Sequence, residues 1–268
     1  MTELVRHHEP VMGTVVSFLI DPGPLPAPEV HAAMEESCAE LHRLDGIFST
    51  WVAESPMSRY RRGDLDWCDL PEEIPVVLEL CATAKEISGG WFDPWAMPGG
   101  VDPTGLVKGW AVERATAVLA RAGVAGALVN GGGDVATYGS SDGQASWRIG
   151  VQHPWRADAV ACIVEISGGH AVATSGRYQR GEHLIDPFAA GLRHREAGAR
   201  AASATVSGPS LAVADALATA IMVADSDALG TVEALRGYSA YRILEDGTEE
   251  ATTDFPLAGT RQPCRSAR

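Results

Sequence analysis

Apolar side chains return at two different periods along this chain, and the switches between them outline its elements. Residues 11–20 read as a strand, closed by the turn-forming run of residues 21–26, which holds Pro22, Pro24 and Pro26. From Glu29 onward Val30, Met34, Cys38, Leu41, Leu44 and Phe48 fall at helical spacing, which predicts a helix ending near Gly46. A second helix is expected after Pro71, carrying Ile74, Val77, Leu78, Cys81 and Ile87 and stopping at Gly89-Gly90. Residues 90–101, rich in Trp, Pro and Gly, show no period and read as a loop. A third helix is expected from near Gly105 to Gly123, a C-cap glycine. Short β-like runs follow at residues 127–129, 135–138, 147–151, 160–166 and 170–174. Residues 213–223 read as a buried helix, 228–236 as another and 239–244 as a closing strand.

Runs of helix and of strand without strict alternation, an internal repeat or a long linker predict a single α+β unit. Its expected extent is residues 1–257, with residues 258–268 as a flexible tail. The apolar share, 46%, is that of an ordinary folded core. Acidic residues outnumber basic ones 35 to 21, a net charge of −14 that argues against adhesion to nucleic acid or anionic lipid. Residues 201–224 are the most apolar stretch, but Gly208 and Pro209 divide it. That leaves about 15 helical residues where a membrane span needs roughly 20. The N-terminus lacks a basic start followed by an apolar core, and the five cysteines show no Cys-x-x-Cys spacing. Both features predict a cytoplasmic protein with unpaired thiols.

Four segments carry candidate chemistry. Gly131-Gly132-Gly133-Asp134-Val135-Ala136 formally fits Gly-x-Gly-x-x-Ala, yet the residues after it read as strand rather than helix, unlike a dinucleotide-binding turn. It is either a tight strand-to-strand turn or a loop that hugs a ligand, since glycines let backbone approach a planar or phosphate group closely. Asp102-Pro103-Thr104-Gly105-Leu106-Val107-Lys108 sets an acid, a glycine and a lysine at a helix opening, where free N–H groups favour anions. The simpler alternative is an N-cap with a solvated lysine. Asp215 is the sole charge in the 24-residue stretch of residues 201–224. Thr219, four residues on, shares its helical face, and the two are hard oxygen ligands suited to Mg²⁺; backbone N–H partners for the carboxylate are the alternative. His183 precedes Leu184-Ile185-Asp186-Pro187, and no histidine or cysteine cluster has the sequence spacing of a zinc motif.

Taken together, eight ordered blocks resemble the ApbE family of FAD:protein FMN transferases. They are Met12-Gly13-Thr14; Phe48-Ser49-Thr50-Trp51 with Ser58-Arg59; Trp91-Phe92-Asp93-Pro94; Asp102 through Trp110; and Asn130 through Asp134. Ala173-Thr174-Ser175-Gly176, His183 through Pro187, and Ala214 through Ala220 complete the set. The resemblance implies two α/β lobes with FAD between them. It implies that Met12, Trp51, Trp91, Phe92, Asp93, Asp102, Lys108, Gly132, Asp134, Ser175 and Ile185 surround the flavin nucleotide. It also implies Mg²⁺ on Asp215 and Thr219 with backbone oxygens of Gly105 and Ala218, and His183 as catalytic base beside the catalytic Asp215. The implied reaction moves FMN from FAD to a Thr or Ser hydroxyl of an acceptor flavoprotein and releases AMP. One departure is visible: only seven residues, Pro94 to Gly100, stand between Asp93 and Val101, where the family usually carries a long insert. An Mg²⁺-dependent FAD pyrophosphatase giving FMN and AMP, and a non-catalytic flavin-binding protein, are the rival readings.

Overall fold

The computed structural model describes residues 3–140, 146–176, 187, 200–224 and 228–259. The fold is α+β, as expected. Among the described residues, eight strands form one antiparallel sheet: β1 (Val5–Val11), β2 (Thr14–Asp21), β3 (Gly126–Gly131), β4 (Val135–Gly139), β7 (Ala171–Gly176), β8 (Ala201–Gly208), β9 (Ser239–Leu244) and β10 (Glu249–Ala251), in that spatial order. Strands β5 (Ser146–His153) and β6 (Arg156–Ser167) make a separate two-stranded hairpin. Among the described residues the α-helices are α1 (Ala27–Phe48), α2 (Pro56–Arg62), α3 (Glu73–Ile87), α4 (Thr104–Ala122), α5 (Leu211–Val223) and α6 (Ala228–Glu233).

The pleat sorts the strand side chains onto two cores. Val16, Phe18 and Ile20 of β2, Ala127 and Val129 of β3, Ala136 of β4 and Ala171 and Ala173 of β7 share a core with α1, α4 and α5. The alternate positions, Leu19, Leu128, Val135 and Val172, pack with Tyr241 and Ile243 of β9 and with Trp147, Ile149, Val151, Val164 and Ile166 of the β5–β6 hairpin. Tyr241 stacks on Phe255 with ring centroids 5.6 Å apart, closing that second core. Helices therefore cover one face of the sheet and the hairpin covers the other.

Both covers explain what hydrophobic alternation did not reveal. Strand β8, whose sequence is Ala-Ala-Ser-Ala-Thr-Val-Ser-Gly, is buried along its whole length, so no polar face interrupts it. A register irregularity between Ala201 and Ser203 also shifts its parity, so Ala201, Ala204 and Val206 share the helical core despite their odd spacing. The single strand expected over residues 11–20 is instead part of a hairpin. Val11 pairs with Thr14, and Met12 and Gly13 form the turn with φ of +54° and +68°. The apolar Val11-Met12 pair disguised that turn, and Arg6-His7-His8-Glu9 disguised β1. The first helix runs to Phe48, through Gly46. Helix α2, too short for a periodic signal, starts on Ser55, whose side chain accepts from the Ser58 amide at 3.0 Å, and ends on left-handed Gly63. No helix among the described residues is long and apolar enough to cross a membrane.

Candidate functional site

Helices α4 and α5 cross where the sequence sets its unexplained glycines. A Cβ on Gly109 would lie 2.8 Å from the Leu211 carbonyl oxygen, so only glycine lets the start of α5 approach this closely. One turn earlier, a Cβ on Gly105 would stand 3.1 Å from Phe92 Cε2 and 3.9 Å from Thr219 Oγ1. Two acids clasp the crossing reciprocally. Asp215 of α5 is buried, and its Oδ2 accepts from the Gly109 amide of α4 at 3.3 Å. Glu113 of α4 accepts from the Leu211 amide, and from the Ser210 hydroxyl at 3.4 Å, at the opening of α5. Burial pushes the Glu113 carboxyl above its ordinary range, while the Leu211 amide and the Ser210 hydroxyl partly oppose that shift. At the same crossing Ser175 Oγ of β7 lies 3.4 Å from Thr219 Oγ1. Asp215, Thr219 and Ser175 thus offer a carboxylate and two hydroxyls, a hard oxygen set of the kind that holds Mg²⁺.

The glycine-rich segment resolves as a strand-to-strand turn that also lines a cavity. Strands β3 and β4 pair antiparallel through it; the Gly131 amide donates to the Asp134 carbonyl at 2.8 Å and the Gly133 amide to Asn130 Oδ1 at 2.8 Å. Gly132, with φ of +68°, sits where a Cβ would come within 2.7 Å of Thr14 Oγ1, so the two hairpin turns touch. A cavity of about 480 Å³ lies between these turns and the β5–β6 hairpin. Gly13, Thr14, Lys108, Asn130, Gly132, Gly133, Thr174 and residues Ile149, Gly150, Val151 and Gln152 of β5 line it, together with Val135. Lys108 is not a solvated side chain. It forms an ion pair with the fully buried Asp134, whose Oδ1 also accepts from the Thr174 amide at 3.3 Å.

Other expected residues have structural partners of their own. Asp102 does both things its position allowed: Oδ1 accepts from the Thr104 amide at 3.0 Å as α4 opens, and Oδ2 faces Arg61 at 3.3 Å. Asp93 accepts from the Trp95 amide at 3.0 Å and pairs with Lys85 at 2.7 Å. Trp91 and Phe92 are buried, Phe92 beneath Gly105 and Trp91 against Leu217 and Ala220 of α5. Ala218 is buried in α5. Met12 is held by its amide, which donates to Asp45 Oδ2 at 3.3 Å, in a backbone conformation that disfavours a side chain. Trp51 is 96% exposed and stands apart from the cavity lining. His183 and Ile185 lie outside the described residues. Arg61, Asp45, Glu113 and the β5 residues carried no local signal, since each acts through partners distant in sequence.

The sequence profile of the ApbE family matches residues 12–99 and 97–241. This chain belongs to the ApbE family. It is 32% identical over 164 residues to the FAD:protein FMN transferase of Rhodobacter capsulatus, a match covering 58% of this chain and 30% of that protein. With the FAD:protein FMN transferase of Vibrio cholerae serotype O1 it shares 33% identity over 132 residues, 46% of this chain and 38% of the other. The matched segments thus span only about a third of the length of these curated relatives. Over nearly the whole chain the fold is that of solved ApbE proteins. The flavin transferase ApbE from Vibrio cholerae aligns at TM-score 0.77 and 21% identity, covering 96% of this chain and 99% of that one. The ApbE protein from Thermotoga maritima aligns at 0.78 and 23%, covering 94% and 97%.

Proposed function

We propose that this ApbE-family chain transfers FMN from FAD to a Thr or Ser hydroxyl of an acceptor protein and releases AMP. One observation carries the reading. Lys108 and Gly109, consecutive in α4, reach Asp134 and Asp215, so the glycine-turn cavity and the hard-oxygen donors are two sides of one site. The curated relatives named FAD:protein FMN transferase supply the reaction class. In this reading the flavin nucleotide lies among Met12, Trp91, Phe92, Asp93, Asp102, Lys108, Gly132, Asp134, Ser175 and Ile185, with Trp51 at its outer edge. The dipole at the opening of α4 and the bound cation would attract the diphosphate locally, despite the net charge of −14.

Asp215, Thr219 and Ser175, with main-chain oxygens of Gly105 and Ala218, would hold Mg²⁺. Bound there, the ion supplies charge neutralisation to the diphosphate and to the departing phosphate. The acceptor hydroxyl attacks the riboflavin-side phosphorus, a new P–O bond forms, and the P–O bond to AMP breaks. His183 would take the hydroxyl proton, the role an imidazole side chain suits because its ordinary pKa lies near neutral pH. Asp134 holds Lys108 in place, and Glu113 and Gly109 keep α5 close enough for Asp215 to face the site.

Incubation of the protein with FAD and Mg²⁺, with and without an acceptor flavoprotein, tests the proposal. A covalent FMN adduct on the acceptor, seen by mass spectrometry, supports transfer. Free FMN and AMP irrespective of acceptor replace it with a pyrophosphatase, and intact FAD leaves a binding protein.

A further inference from the structure

A second group of ligating side chains lies away from the cavity. His7 and Glu9 are two apart on β1 and so share one face of that strand, while Cys38 and His42 are four apart on α1 and share one face of that helix. Among the described residues, His7, Glu9 and Cys38 are the one group of three His, Cys, Asp or Glu donors whose ligand atoms all fall within 4.8 Å of each other. Glu9 Oε2 lies 2.9 Å from His7 Nε2, and Glu9 Oε1 lies 2.7 Å from His42 Nε2. Two imidazole nitrogens and a thiol therefore converge on one carboxylate. His7, Glu9 and His42 keep part of their side chains open to solvent, so an ion has a way in, while Cys38 closes the inner side.

We propose that His7, Glu9 and Cys38 form a Zn²⁺-class metal site that tethers edge strand β1 to helix α1; His42, whose Nε2 is 2.7 Å from Glu9 but outside that close group, completes it by a side-chain rotation. The donor set is the reverse of the one at Asp215. Thiolate and imidazole select zinc-like ions, whereas carboxylate and hydroxyl alone favour Mg²⁺. No spacing motif announces the site, because its ligands come in pairs from two elements that meet only in the fold. Burial and the nearby Glu9 push the unliganded Cys38 thiol up to about 11. Coordination therefore releases that proton to solvent as the thiolate binds. The tether lies on the same hairpin whose tip, Met12, is gripped by Asp45 of α1, so hairpin and helix would be joined at two points.

The test is titration of the tag-free, chelator-treated full chain with Co²⁺ alone and then Zn²⁺ alone. One equivalent of Co²⁺ should give tetrahedral d–d absorption and a thiolate-to-cobalt charge-transfer band, both abolished by one equivalent of Zn²⁺. Cys38→Ser should lose the charge-transfer band, and His42→Ala should weaken Co²⁺ at least tenfold. Cys68→Ser and Asp215→Asn should leave the spectrum intact. Zn²⁺ should raise the Tm of the parent chain but not of Cys38→Ser. Absence of the thiolate band from the parent chain, or its persistence in Cys38→Ser, overturns the site. These readouts do not depend on flavin transfer.

Discussion

Two aspartates in this site are reached from neighbouring residues of one helix, yet they are built differently. Asp134 is fully buried in the turn between β3 and β4, and Lys108 neutralises it directly while the Thr174 amide takes its other oxygen. Asp215 is also buried, but its Oδ2 accepts from a backbone amide, that of Gly109, and Thr219 lies one helical turn further along α5. A carboxylate with its own ammonium partner acts as a strut. In the proposed reading, the one bound to a backbone amide instead serves a cation from outside. In that reading the β3–β4 turn shapes the site, and the α4–α5 crossing supplies its chemistry.

The sharpest way to break this contrast is to remove the strut. Asp134→Ala should leave Lys108 facing a buried void and cost about 3–5 kcal/mol in urea unfolding. A loss below 1 kcal/mol would make Asp134 as dispensable to the fold as Asp215 is expected to be. Asp215→Asn keeps shape and amide contact, so its unfolding free energy should change by less than about 1 kcal/mol. Its Mg²⁺-dependent FAD turnover should nevertheless fall at least about 100-fold, equivalent to roughly 2.7 kcal/mol. Equal losses of stability and turnover would erase the division of labour.

Gly109→Ala tests the closeness of the crossing that presents Asp215. Its Cβ would meet backbone at the Leu211 carbonyl, 2.8 Å away, which a rotamer change cannot relieve. The expected cost is about 1–3 kcal/mol, read as a lower Tm. The smallest effect concerns Glu113, whose folded pKa is raised by burial above its ordinary 4.5. The folded state then holds this proton more tightly than the unfolded one. Its contribution to stability is present below about pH 4.5 and declines as pH rises through the folded value. Glu113→Gln should flatten that part of the stability profile in pH-resolved thermal unfolding. An unchanged slope would place the pH dependence elsewhere.

Legibility in the sequence followed how local each determinant is. Helix α4 was readable because its period, its opening at Asp102 and its Gly123 cap all lie within one segment. Strand β8 was not, because two covered faces remove alternation and a register irregularity shifts its parity. The turn at Met12-Gly13 was masked by apolar neighbours, although it shapes the cavity mouth. Among site residues, Asp215 and Thr219 could be paired from helical spacing alone. The partner of Lys108 could not, since nothing local to α4 points to a turn two strands away. Trp51 shows the converse: its motif is recognisable, yet it projects fully into solvent.

Taken alone, the sequence determined the long helices, most of the strands, the α+β class, the single charge inside an apolar helix and the glycines that small-residue contacts would need. Periodicity and caps are properties of short segments, so they survive without a fold. Tertiary structure alone decided which side chains share an environment: that Gly109 admits α5, that Asp134 meets Lys108, and that a strand and a helix bring His7, Glu9, Cys38 and His42 together. Those outcomes depend on distances between residues far apart in the chain, and only the packing of sheet, helices and hairpin sets those distances.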